Sequence, residues 1–242
     1  MSRDNELNCL NNIKNAFCKS NNMHIDACNC NREKIRKIFL NANENEDSNT
    51  FPDFNFEGGI IEHFIITGYK ESKKGSAFKI EESKANKETD IFFKEEDKKF
   101  LNSPRNPGTY HTISHENTYS NSVYKDFLSS FKRNFNNHLE SLQKSKHINE
   151  TVIFLIEQED ARFGIYQNNR FTRFYLLSED KSLLMYLKEQ YPLVNYVIFN
   201  SADSVEIIDL SNLEPLISRA NEGLDIRSGR KRELSLKIYW DL

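Results

Sequence analysis

Glu62 stands where a carboxylate needs a reason. It lies in Ile60-Ile61-Glu62-His63-Phe64-Ile65-Ile66, a run that reads as a strand covered on both faces. An ionised group in such a strand is strongly disfavoured unless it is compensated. Just before this run Phe54 and Phe56 alternate with Asp53 and Asn55, and Glu57-Gly58-Gly59 interrupts the pattern, which together make a β-hairpin signal. With Gly58-Gly59 as a two-residue turn, Asn55 falls opposite Glu62 and Asp53 opposite Phe64. Asp53 and Glu62 then become diagonal neighbours on one face, with Cβ atoms roughly 7–8 Å apart. Two hard carboxylates converging from adjacent strands can share one Mg²⁺ or Mn²⁺, the arrangement that supports phosphoryl transfer. The alternative is a buried Glu62 satisfied by an Arg, Lys or Tyr elsewhere in the core.

Other candidates are read against that pair. His138 falls on an apolar stripe, where it is either a satisfied core histidine or a group turned toward the carboxylates. His63 alternates to the face opposite Glu62. His111 and His115 follow a lead-in containing Pro104, Pro107 and Gly108 and are read as a loop. Glu157 ends a strand, either as a third acidic ligand or as a solvated acid. Lys74-Gly75-Ser76 can approach a phosphate with its amides and ammonium group. Cys9, Cys18, Cys28 and Cys30 all lie in the first 30 residues, which argues against a disulfide-stapled fold. With His24 nearby they are either reduced thiols or a structural Zn²⁺ site, although Cys28-Asn29-Cys30 is tighter than the usual spacing.

The elements that must position these groups follow from periodicity. Asparagine is dense in residues 1–50, with 13 of the chain's 29, and favours caps and loops; residues 1–48 are read as an N-terminal helical, Cys/Asn-rich region. Ile35, Ile38 and Phe39 after Asn31 predict a helix over about residues 31–42. Residues 70–99, rich in charges of both signs, are read as a solvated excursion or a surface helix. Val123, Phe127, Phe131, Phe135, His138 and Leu142 recur at threes and fours and predict a long helix over about 121–145. Strands are expected at 152–156 and 194–199, separated by a helix capped at Ser178, with further apolar stretches near 205–208 and 234–240. The order predicts an α/β core over residues 49–242, a mixed sheet flanked by helices, whose C-terminal strand pairs within the chain or with a second copy as a homodimer.

Phe51-Pro52-Asp53, a short gap, then Ile61-Glu62-His63-Phe64 resembles the PD-(D/E)xK nucleases, the restriction-endonuclease-like superfamily. The resemblance extends to the coarse order of elements over about residues 31–200. It implies a restriction-endonuclease-like sandwich in which Asp53 and Glu62 bind Mg²⁺. It also implies a lysine two residues after the Glu, and here that position is Phe64. Lys70, Lys73, Lys74 and Lys79 are the substitutes downstream, of which Lys74 is preferred; Glu82-Ser83-Lys84 is a literal E-x-K in a polar run with no buried strand to hold it.

Composition narrows the class. The 29 aromatics among 242 residues are too many for a disordered chain, and no apolar run is long enough to cross a bilayer. The first 30 residues lack the basic and apolar blocks of a secretory signal, so a cytoplasmic protein is expected. A net charge of −3 leaves DNA binding to local clusters such as Lys132-Arg133 and Arg227 through Arg232. No glycine-rich phosphate loop marks a Rossmann or P-loop protein. The expected function is a metal-dependent DNA endonuclease of restriction or phage-defence type, with Asp53, Glu62, Lys74 and His138 as catalytic residues. The alternative is a non-catalytic interaction or nucleic-acid-binding protein that keeps the fold.

Overall fold

The structure is a computed structural model that describes residues 3–18, 24–45, 51–67, 76–102, 110–118, 123–159, 163–168, 170–201 and 204–237. In chain order it forms α1 (Arg3–Phe17), β1 (His24–Ala27), α2 (Arg32–Asn41), β2 (Asn43–Glu44), β3 (Phe54–Phe56), β4 (Gly59–Thr67), α3 (Ser76–Asn102), β5 (Tyr110–Thr118) and α4 (Val123–Lys144). There follow β6 (Thr151–Glu159), β7 (Phe163–Gln167), β8 (Arg170–Phe174), α5 (Lys181–Lys188), β9 (Tyr196–Asn200), β10 (Ser204–Asp209), α6 (Glu214–Arg219) and β11 (Asp225–Lys237).

A seven-stranded mixed sheet in the order β1-β10-β9-β6-β4-β3-β2 organises the α/β fold. β4, β6 and β9 run parallel, and a parallel sheet needs both faces covered. β6 shows the consequence: Val152, Ile153, Phe154, Leu155 and Ile156 are all fully buried, so its sequence is an unbroken apolar run. β3 and β2 continue the sheet antiparallel on one side, and β10 and β1 extend it on the other. A second sheet, β5-β11-β7-β8, carries the C-terminal strand.

Strand alternation divides the core. Ile61, Ile153, Leu155 and Ile198 pack with Leu10 and Ile13 of α1 and with Ile35 and Phe39 of α2. Ile60, Phe64, Phe154 and Phe199 pack with Phe127, Phe131 and Phe135 of α4 and with Leu183, Leu184 and Leu187 of α5. The α4 phenylalanines are fully buried and their rings touch in sequence, so truncating one to Ala costs about 3–5 kcal/mol. That stripe fixes the helix rotation that sets where His138 faces. Asn31 caps α2 as expected, its side chain accepting the Glu33 and Lys34 amides.

Several expectations are corrected. The N-terminal stretch carries strands besides its helices: β1 pairs with β10, β2 pairs with β3, and α1 and α2 cover one face of the sheet. The helix expected from Ser178 starts at Lys181, since residues 177–179 wind as a 3-10 turn and Asp180 supplies the capping carboxylate to the Leu183 amide. His111 and His115 lie on β5, opposite Leu236 and Arg232 of β11, and not in a loop. The charged stretch resolves as α3 from Ser76. β11 begins at Asp225, earlier than expected, and is paired by β7 and then β5 of the same chain. Among the described residues no helix is long and apolar enough to cross a membrane.

Candidate active site

The hairpin turn is Glu57-Gly58, one residue earlier than the spacing suggested. Gly58 has φ +83, in the left-handed region that glycine enters freely, and its carbonyl accepts the Thr151 amide at 3.0 Å. Gly59 can carry no side chain, because a Cβ there would meet the Thr151 carbonyl at 2.2 Å. With this turn Asn55 faces Ile60 in place of Glu62, and Phe54 faces Ile61. The displacement is even, so no side chain changes face. Continued by one residue, the register sets Asp53 directly opposite Glu62.

β3 begins only at Phe54, whereas β4 runs on to Thr67 alongside β6, so Asp53 lies where the hairpin opens. Asn45 holds this point from β2, its amide N–H donating to the Asp53 carbonyl at 2.9 Å and its Nδ2 to the Pro52 carbonyl at 2.9 Å. The Asp53 amide donates to Glu62 Oε2 at 3.3 Å, and Asp53 Oδ2 accepts the His63 amide at 2.7 Å. The carboxyl of Asp53 is pushed up to about 8, first by burial and then by the Glu62 charge; Glu6 of α1 adds a weaker push in the same direction. Glu6 was not visible as a candidate from its own surroundings, since only folding brings α1 near the hairpin.

His138 reaches Glu62 from α4. Its Nδ1 lies 2.6 Å from Glu62 Oε1, and its ring stacks on Phe64 at 4.5 Å between centroids with 12° between planes. With Glu62 ionised, Nδ1 must be the donor. Asn134, one turn earlier on α4, donates to the Ile65 carbonyl at 3.3 Å and ties the helix to β4. Among the described residues no Lys or Arg pairs with Asp53 or Glu62. The arrangement therefore sets two partly buried hard-oxygen donors side by side with a histidine on one of them. A divalent cation is the group whose charge such a pair fits.

The remaining candidates are dispersed. Lys70, Lys73 and Lys74 lie outside the described residues. Glu82-Ser83-Lys84 and Lys79 sit on α3, a helix and not a strand. Glu157 faces away from Asp53 and Glu62, because its odd position in β6 puts it on the α1 side, where its Oε2 lies 3.1 Å from Nε2 of His63. Lys132 stands over the Tyr186 ring at 5.0 Å, and Arg227 through Arg232 lie on β11. Cys9 is buried on α1 and Cys18 is exposed, whereas Cys28 and Cys30 follow β1, with their thiols near Glu206 and the Ile207 carbonyl. The four cysteines are thus not gathered around one point: among the described residues the one set of three or more metal-capable side chains within 4.8 Å is Cys9, His63 and Glu157. A cavity of about 330 Å³ lined by Asp26, Cys28, Ser178 and Arg219 lies at the β1 edge, away from the hairpin. Neither the family models, nor the curated proteins, nor the solved structures give a match to this chain.

Proposed function

We propose that this chain is a metal-dependent endodeoxyribonuclease of the PD-(D/E)xK type, hydrolysing phosphodiester bonds in DNA in a restriction or phage-defence setting. One observation carries the reading: Asp53 and Glu62 converge at the open end of the hairpin, carboxyl against carboxyl, with no cationic side chain between them among the described residues. The order α2, the β2-β3-β4 meander, then, after the intervening α3 and β5, α4 and β6 supports it, since the family core has a helix, a three-stranded meander, a helix and a further strand in that order.

Asp53 and Glu62 would hold Mg²⁺ or Mn²⁺. Bound there, the ion would polarise the scissile phosphate and acidify a water. His138 orients Glu62 through Nδ1, and among the described residues its imidazole is the base in contact with the pair, where the family has a lysine and this chain has Phe64. Lys132-Arg133 and the β11 cluster would meet DNA phosphates.

Supercoiled plasmid incubated with the full chain and Mg²⁺ or Mn²⁺ should be nicked or linearised, and Asp53→Asn and Glu62→Gln should leave it intact. Phe64 favours a second reading, a non-catalytic interaction or nucleic-acid-binding protein on a nuclease-like fold. Intact plasmid with wild type and either ion, together with a mobility shift, would select that reading.

A further inference from the structure

We propose that Cys9, His63 and Glu157 form a second metal site, on the opposite face of the sheet from Asp53 and Glu62, suited to Zn²⁺ or a similar transition-metal ion. The register of three central strands assembles most of it. His63 on β4 faces Leu155 of β6 and Ile65 faces Glu157, so His63 and Glu157 are diagonal neighbours on one face. Glu157 in turn faces Asn200 of β9. Helix α1 lays Cys9 over these side chains, and the three ligand atoms all lie within 4.8 Å of one another. Bonds of 2.0–2.3 Å to a tetrahedral ion place ligand atoms roughly 3.3–3.8 Å apart, so closing on the ion needs only a small contraction. The His63–Glu157 edge is already 3.1 Å.

The surroundings point to a ligand as well. His63 and Asn200 are buried, at 2 % and 6 % exposure, yet among the described residues His63 Nδ1 and Asn200 Oδ1 have no hydrogen-bond partner. Asn200 Nδ2 donates to Cys9 Sγ at 3.4 Å, the outer contact that a metal-bound thiolate receives. The Glu157 side chain keeps 30 % of its surface, which leaves one side open for entry of the ion and for a water as fourth ligand.

Charge and softness select the ion. Binding releases the Cys9 thiol proton to solvent, and thiolate plus carboxylate then neutralise a dication, so little net charge is buried. Sulfur and imidazole ligands favour Zn²⁺ over Mg²⁺, whereas the Asp53–Glu62 pair offers oxygen alone. The two faces of β4 would hold different ions, and the second would pin α1 to β4 behind Asp53, whose carboxyl already holds the His63 amide.

The test is titration of the chelator-treated full chain with Co²⁺ in excess Mg²⁺. One equivalent should produce thiolate-to-cobalt charge-transfer absorption in the near ultraviolet and strong tetrahedral bands in the visible, both lost on adding Zn²⁺. Cys9→Ser should abolish the charge-transfer band. Asp53→Asn, and the combined Cys18→Ser, Cys28→Ser and Cys30→Ser variant, should keep it. Should Cys9→Ser fail to fold by circular dichroism, Glu157→Gln serves instead, with Co²⁺ affinity expected to fall at least ~10-fold while the band survives at saturation. A wild type without the band, a band unchanged in folded Cys9→Ser, a band lost in the triple variant, or unchanged affinity in Glu157→Gln would overturn the proposal.

Discussion

Glu206 on β10 and Glu62 on β4 occupy comparable settings, inward-facing carboxyls of one sheet at 1 % and 6 % exposure, but their neighbours differ in kind. Glu206 is met by donors: the Leu177 amide at 2.7 Å, the Ser178 amide at 3.0 Å and the Cys28 thiol at 3.9 Å. Asp180 beside it accepts the Leu183 amide and the hydroxyls of Tyr124 and Tyr175. Burial and the Asp180 charge push both tyrosines upward, so they stay protonated and keep donating. Glu62 meets one imidazole and one amide, and otherwise another carboxyl. A buried acid ringed by donors holds the fold together. One that faces a second acid, with no Lys or Arg on the pair among the described residues, leaves its neighbour holding a proton to higher pH, as Asp53 does, and that contrast separates the two settings.

The largest effect is expected where donors would be stranded. Asp180→Ala should cost at least about 3 kcal/mol in urea denaturation, since each donor left unsatisfied costs roughly 1–3 kcal/mol. An unchanged midpoint would erase the contrast from the structural side. Asp53→Asn should lower plasmid cleavage by ~10²-fold or more while leaving the melting temperature unchanged or raised, because the amide keeps an acceptor for the His63 N–H and removes a carboxyl that burial and Glu62 hold from ionising. Equal losses of stability and activity would make Asp53 structural.

Glu206→Gln should destabilise by about 1–3 kcal/mol, its amide NH₂ turned against backbone N–H groups, whereas Glu62→Gln should not. Chemical denaturation of the two variants side by side sharpens the comparison directly. The same contrast shows in pH. Both Asp53 and Glu206 titrate above their ordinary values, Asp53 to about 8, with burial the first cause in each. A raised folded-state value means that each acid's contribution is fully present below its unfolded value and is lost as pH rises, for Asp53 across the window from about 4 to about 8. Metal-free protein should therefore lose stability as pH rises from about 4 to about 8. Mg²⁺ should restore the Asp53 share, measured against Asp53→Asn, and leave the Glu206 share untouched.

Local signals were legible wherever a short-range cause decided the outcome. Asn31 capped its helix, the phenylalanine stripe set α4, and Val152 to Ile156 read as a covered strand. Signals failed where two residue types could do the same job or where the partner was remote. Ser178 and Asp180 are both good caps, and the choice fell to Asp180 because Glu206 takes the Ser178 amide. His111 and His115 follow a turn-rich segment, and only pairing with β11 makes their stretch a strand. Glu157 reads as a third acidic ligand or a solvated acid, and only the pairing of β6 with β4 puts it beside His63 on the face away from Glu62.

By itself the sequence determined the periodicities and the oddity of Glu62, because helix and strand spacings and the cost of a buried charge are properties of a dozen neighbouring residues. It also determined that Asp53 and Glu62 share a face, since an even slip in register preserves it. Tertiary structure alone decided that the two stand directly opposed, that His138 closes on Glu62 over Phe64, and that Cys9 meets His63 and Glu157. The last two meetings join residues far apart in the chain, and their geometry follows from how the sheet's register and the helices' rotation settle together in one packed core.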